Sequence, residues 1–201
     1  MHEFTLWAPY ARKLSVKVNG ALHPMQGPDK RGWWSAAVDA AAHGTDYAFV
    51  LNDDPTAYPD PRGLWLPEGV HGPSRIYDQK AFEWTDGRWQ GPSLAGAGID
   101  ESHMGTGTAK GTCDGAIERL DYLVELGVTH LEAMPVAEFP GRYGWGYDGT
   151  ALFAVTVKYG GPDGLKRFVD GCHQRGLSVL LEVFYKDFGP VGNYGTKVGP
   201  Y

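Results

Sequence analysis

Two stretches of this chain repeat one pattern: the end of an amphipathic helix, a glycine, then an apolar strand. Residues 125–136 read ELGVTHLEAMPV and residues 174–185 read QRGLSVLLEVFY. Before the second, Leu165, Phe168, Val169 and Cys172 fall at i, i+3, i+4 and i+7, the spacing of one helix face. Pro162 stands at the start of that helix and Gly176 at its end, the usual asymmetry of helix termini. Before the first, Ala116, Ile117, Leu120, Leu123 and Val124 make a similar stripe that stops at Gly127. The pattern predicts strands over 128–136 and 177–185. An earlier candidate strand, Ile99–Met104, precedes the first helix. Strands that alternate with helices demand a parallel sheet, whose chemistry gathers at the strands' carboxyl ends.

Residues 1–85 have a different period. Phe4–Trp7, Leu14–Val18, Trp33–Trp34, Ala37–Val38 and Tyr47–Leu51 are short runs separated by turn signals such as Pro9, Asn19-Gly20, His43-Gly44 and Asn52–Pro55. That spacing predicts an antiparallel β-sandwich of the immunoglobulin-like kind. The proline- and glycine-rich segment 55–75 is too long for a hairpin and is expected to lie over the sandwich surface. The predicted organisation is a β-sandwich module over 1–90, then a β/α array of three strands and two helices over 91–201.

A net charge of −6, with no run of Lys or Arg longer than two, points away from nucleic acid and anionic membrane as partners. No apolar run nears the ~20 residues of a membrane span. The start, Met-His-Glu-Phe-Thr, lacks the basic and apolar pattern of a signal peptide. Cys113 and Cys172 are expected as reduced, buried thiols, so a cytoplasmic protein is predicted. The seven histidines lack metal-ligand spacing, so no metal site is expected. Gly105-Thr-Gly-Thr-Ala-Lys-Gly111 imitates a dinucleotide fingerprint, but its G-x-G-x-x-x-G spacing is one residue too long. Lys110-Gly111-Thr112 has the wrong order for a phosphate-binding loop. No cofactor is expected.

Between the second strand and second helix lies an aromatic, glycine-rich loop, Phe139-Pro-Gly-Arg-Tyr-Gly-Trp-Gly-Tyr-Asp-Gly149. Trp145 and Tyr147 offer flat rings for the apolar face of a pyranose, with Asp148 as a hydrogen-bond acceptor beside them. Simple loop packing competes with that reading.

Pro59-Asp-Pro-Arg62, Gly69–Arg75, Leu126–His130, Met134-Pro-Val136, Phe139–Arg142, Gly144–Gly149 and Tyr159–Val169 together make the chain resemble the malto-oligosyltrehalose trehalohydrolase family of the α-amylase clan, from Phe4 to Tyr201. The resemblance implies a sandwich like the one that precedes glucan-branching enzymes, followed over 91–201 by an incomplete (β/α)8 TIM-type barrel that contributes its first three strands. It also implies hydrolysis of the α-1,4 bond beside a terminal trehalose unit, with an α-glucan or malto-oligosyltrehalose as partner. It places His103 in the barrel interior.

Two departures from the family pattern stand out. The family's third strand ends Asp-Val-Val-Tyr-Asn-His, whereas this chain reads Glu182-Val-Phe-Tyr-Lys-Asp187. Asp187 thus occupies the position of a sugar-binding histidine, and Lys186 that of an asparagine which orders neighbouring loops. The first strand carries Asp100 and Ser102 where a barrel strand wants apolar residues. Glycoside hydrolysis needs two carboxyl groups flanking the bond. In this clan both come from strands after the third, so no catalytic residue is expected here. Glu101, Glu132 and Glu182 are expected to be structural carboxylates. The candidate substrate-binding residues are therefore Trp145, Tyr147, Asp148 and Asp187. Two functions compete: a catalytically silent piece of a glycoside hydrolase, and a non-catalytic glucan-binding or scaffold protein. Three strands cannot close a barrel, so self-association through open sheet edges, or partial disorder after residue 95, is expected.

Overall fold

The computed structural model describes residues 1–200; Tyr201, the last residue of the expected second domain, lies outside the described residues. The first part forms two antiparallel sheets around one core. Its strands are β1 (His2–Trp7), β2 (Leu14–Val18), β3 (Ala21–Pro24), β4 (Trp33–Val38), β5 (Asp46–Leu51), β6 (Ala57–Tyr58) and β7 (Ser74–Arg75). β1 pairs with β4 in one sheet, and β3-β2-β5-β6 form the other, with β7 also on β5. Alternation drives Phe4 and Leu6 inward from β1 and Leu14, Val16 and Val18 inward from β2, where they meet Trp34, Phe49 and Leu51. Asn19 and Gly20 both have positive φ, 48° and 86°, which suits a tight hairpin between β2 and β3.

Three expectations for this part change. Trp33–Trp34 and Ala37–Val38 belong to one unbroken strand, because Ser35 and Ala36 pair with Thr5 and Phe4. β3 had no apolar alternation to reveal it, since three of its four residues are exposed. Segment 55–75 does more than cross the surface. It supplies β6 and β7 and buries Tyr58, Leu66, Val70 and Ser74.

The second part is built on a three-stranded parallel sheet. In chain order it comprises β8 (Ile99–Ser102), α1 (Cys113–Ile117), α2 (Leu120–Leu126), β9 (His130–Ala133), the small antiparallel pair β10 (Ala137–Glu138) and β11 (Ala151–Val155), α3 (Gly161–Gln174), β12 (Ser178–Leu181) and α4 (Gly195–Val198). β9 lies between β8 and β12, parallel to both. Its core gathers Leu120, Leu131, Ala133, Phe139, Phe168, Cys172 and Leu177. Cys113 and Cys172 are free and buried, and burial pushes each thiol up to about 12.

The strands are shorter than the apolar runs. β12 stops at Leu181, after which the amide of Glu182 makes a last bond to the Ala133 carbonyl at 2.9 Å. The middle strand meets Pro135 two residues further on, which has no amide to donate. Val183–Tyr185 therefore leave the sheet. β8 forms despite Asp100 and Ser102, because it is an edge strand, and the Ser102 hydroxyl donates to Asp100 at 2.9 Å. The first predicted helix is two, broken at Glu118–Arg119, with Gly127 left-handed (φ 92°) at the end of α2.

The two parts interlock. Tyr77 donates to Asp163 at the start of α3, at 2.5 Å, and Thr85 donates through N and Oγ1 to Asp170. The Trp89 indole stacks on His173, ring centroids 3.6 Å apart. In the other direction, Val198 from α4 is buried in the first core, with Tyr194 packed beside it.

Candidate functional site

The loop after β9 sits at the carboxyl end of the sheet, and its root is fixed by a buried ion pair. Glu138 is wholly buried; it accepts from Lys158 Nζ at 2.5 Å and from the Val157 amide at 3.0 Å. Lys158 also donates to the Phe139 carbonyl at 2.9 Å and lies 4.6 Å from the centre of that ring. Sequence reasoning passed over this pair, since nothing in the run Val-Ala-Glu-Phe-Pro distinguishes a buried carboxylate from a solvated one.

Beyond that root the loop passes close to the backbone beneath it. A Cβ on Gly146, whose φ is +92°, would stand 2.4 Å from the Pro135 carbonyl oxygen. A Cβ on Gly144 would stand 2.9 Å from the Phe139 ring. The glycines around Trp145 and Tyr147 are thus a steric condition for the loop's position.

Its two aromatic rings engage opposite strands. Trp145, mostly exposed, lies 4.9 Å from the His103 ring, just after β8. Tyr147 donates from its hydroxyl to Glu182 Oε2 at 3.0 Å, beside β12, and meets Phe184 edge-on at 5.5 Å. The loop therefore spans the sheet from its first strand to its third. The hydrogen bond to Glu182 raises the Tyr147 phenol, followed by burial and the charges of Glu182, Glu101 and Glu132. Glu101 and Glu132 are register neighbours on β8 and β9, so they share a sheet face. Carboxylates on β8 and β9 and just past the end of β12 thus bear on one phenol.

Asp148 is exposed, and its backbone oxygen lies close against Gly189. Asp187 is exposed and pairs with its neighbour Lys186 at 3.2 Å. Trp145 and Tyr147 are thus anchored to the sheet, while the side chains of Asp148 and Asp187 are turned to solvent. Two residues that hold the loop, His103 and Tyr159, were not among the predicted binding residues. Both contact the Gly144 carbonyl, a bond between distant loops that local sequence cannot reveal. Among the described residues, no group of three or more His, Cys, Asp or Glu is arranged to hold a metal ion. No helix among them is long and apolar enough to cross a membrane.

With this geometry the chain can be set beside known proteins. The alpha amylase catalytic-domain family matches residues 76–191. Over its whole length the chain is 48% identical to the malto-oligosyltrehalose trehalohydrolase of Mycobacterium tuberculosis, spanning 35% of that protein. It is 45% identical over 98% of its length to the enzyme of the same name from Saccharolobus solfataricus, again spanning 35% of it. The chain thus spans about a third of the length of these curated relatives. Among solved structures, a candidate alpha amylase from Salmonella typhimurium superposes with a TM-score of 0.94 at 41% identity, over 98% of this chain and 34% of that one. The pullulanase of Anoxybacillus sp., complexed with maltotetraose, shares the fold at TM-score 0.78 and 23% identity, over 92% of this chain and 33% of its own.

Proposed function

That the chain belongs to the α-amylase family is the premise from which we propose its function: it is a portion of a malto-oligosyltrehalose trehalohydrolase, and its part is to grip the α-glucan at the carboxyl end of the sheet. The whole enzyme, in this reading, cleaves the α-1,4 bond next to a terminal trehalose and releases trehalose. Residues 1–90 act as an immunoglobulin-like sandwich module, and residues 91–201 as the first three strands of a (β/α)8 barrel. The observation that carries the reading is the loop 139–149. It is pinned to both outer strands and offers two aromatic rings above a face lined with carboxylates. Flat rings bordered by acceptors suit pyranose stacking and hydroxyl recognition.

These 201 residues bind glucan without hydrolysing it. A glycosidase needs one carboxyl as acid and a second as nucleophile or base, both directed at the bond. Here Glu182 is taken by Tyr147 and Glu138 by Lys158, which supports structural roles for both. Calorimetry with maltoheptaose tests the binding, with heat expected at millimolar ligand. A trehalose-release assay on malto-oligosyltrehalose tests the silence; steady product from the purified chain would overturn it. A cytoplasmic location is part of this proposal, supported by the two free, buried thiols.

One observation favours a second reading, a non-catalytic glucan-binding or scaffold protein. Lys186 and Asp187 pair with each other in solvent at the position where the family presents a neutral amide and an imidazole. Restoring Asn and His there, in a chain extended to the length of its relatives, separates the two. A gain in hydrolysis supports the decayed binding protein; activity without the change supports the enzyme.

A further inference from the structure

The His103 ring, which meets Trp145 on the first strand's side, is held at both nitrogens. Nδ1 lies 2.9 Å from Thr106 Oγ1. Nε2 lies 2.9 Å from the Gly144 carbonyl and 3.0 Å from the Tyr159 hydroxyl, which is itself 3.0 Å from the same carbonyl. These three atoms form a triangle in which the carbonyl can only accept.

Donor bookkeeping selects one tautomer. With Nε2 bare, the single tyrosine proton must serve either Nε2 or the carbonyl, and one of them goes without. With the proton on Nε2, the imidazole donates to one lone pair of the Gly144 carbonyl and Tyr159 to the other. The Thr106 hydroxyl then donates to Nδ1. Of the two neutral tautomers, only this one gives every group in the cluster its partner. The backbone beneath is compressed to allow it: a Cβ on Gly105 would stand 2.9 Å from the Tyr159 ring and 3.0 Å from the His103 ring.

Gly144 is the residue before Trp145, and the indole lies 4.9 Å from the His103 ring at a tilt of 48°. We propose that His103, with a proton on Nε2, is a positioning residue for α-glucan binding. Together with Tyr159 it fixes the Gly144 carbonyl, and its ring backs the exposed Trp145 indole, so that the sugar meets a ring already oriented. This inference rests on the reading that Trp145 takes a sugar. An unbacked tryptophan must lose rotamer freedom when the sugar arrives, which corresponds to about three- to tenfold in affinity.

The test uses the intact chain labelled with 15N-histidine. Above about pH 8, where an ordinary imidazole is neutral, a two-bond 15N–1H correlation reads the tautomer of each ring. The signal absent from His103→Gln identifies His103. The expected pattern is Nε2–H, and an Nδ1–H pattern overturns the proposal. Maltoheptaose affinity by calorimetry should fall about three- to tenfold in His103→Ala. It should recover largely in His103→Gln, whose amide N–H can still reach the Gly144 carbonyl. The wild-type chain binding maltoheptaose while His103→Ala binds equally well overturns the proposal alone. A wild-type chain that takes no maltoheptaose overturns the glucan reading, and the positioning role with it.

Discussion

Replacing Glu138 should loosen the strand-end loop at its root. In Glu138→Ala the Val157 amide loses its acceptor and Lys158 loses its carboxylate partner, two bonds seen at 3.0 and 2.5 Å. A fully buried orphaned amide costs about 1–3 kcal/mol, and the half-buried Val157 amide falls toward the low end; a lost charge-assisted bond costs about 1.5–3 kcal/mol. The lysine side chain is 24% exposed and keeps the Phe139 carbonyl, so it recovers part of its solvation. The lower half of the range applies, about 3–4 kcal/mol, in line with other broken buried pairs. Glu138→Gln keeps an acceptor for Val157 and should cost about 1–2 kcal/mol. With a urea m-value of about 2 kcal/mol/M, the alanine variant should lower the midpoint by about 1.5–2 M and the glutamine variant by half that or less. Fluorescence-monitored urea titration of dilute protein reads both. If Glu138→Ala shifts the midpoint by less than about 0.3 M, the pair contributes nothing net and the reasoning fails.

Gly146→Ala should cost about 1–3 kcal/mol and abolish measurable maltoheptaose binding, because a methyl 2.4 Å from the Pro135 oxygen displaces Tyr147; unchanged affinity would contradict the placement of the loop. Arg167 donates two hydrogen bonds to Asp114, at 2.9 and 2.8 Å, and these bonds hold that carboxyl below its usual range. Its folded value lies below its unfolded one, so the stabilisation is present above about pH 4 and fades as pH falls through the folded value. Both side chains are about half exposed, so Asp114→Asn should cost only about 0.5 kcal/mol near neutrality and nothing in acid; a deficit that persists at about pH 2 would refute the assignment. Leu181, Val183 and Tyr185 are exposed beside the free edge of β12, so sedimentation velocity should show concentration-dependent self-association, and a monodisperse monomer would count against it.

Helical periodicity and glycine punctuation were enough to locate α3 to within two residues, because Pro162 and Gly176 act locally on the backbone. The parallel order of β8, β9 and β12 was legible for the same reason: a strand–helix–strand unit leaves few alternatives. Strand lengths were not legible. The apolar run continues to Tyr185, but the ladder depends on the neighbour, and the neighbour reaches Pro135 first. Trp145 and Tyr147 could be selected as exposed rings from the loop's composition alone. Their anchors could not, since His103 and Glu182 lie 42 and 35 residues away in sequence and meet the loop only once the sheet has formed.

The burial of Val198 in the first core, with Tyr194 bonded to His71 at 2.6 Å across 123 residues, bears on the order in which the protein is made. A ribosome adding about 5–20 residues per second leaves an interval of about 6–25 s between the two ends of that bond. Once β7 has been made, a few residues into that interval, the strands of the first part are all present, yet the valine side chain is still missing from their core. Early collapse of the amino-terminal strands is therefore provisional. Its final tightening waits for the β/α units to emerge and carry the chain back, so a pause in translation before residue 194 would prolong exposure of that apolar opening to chaperones or to another nascent chain.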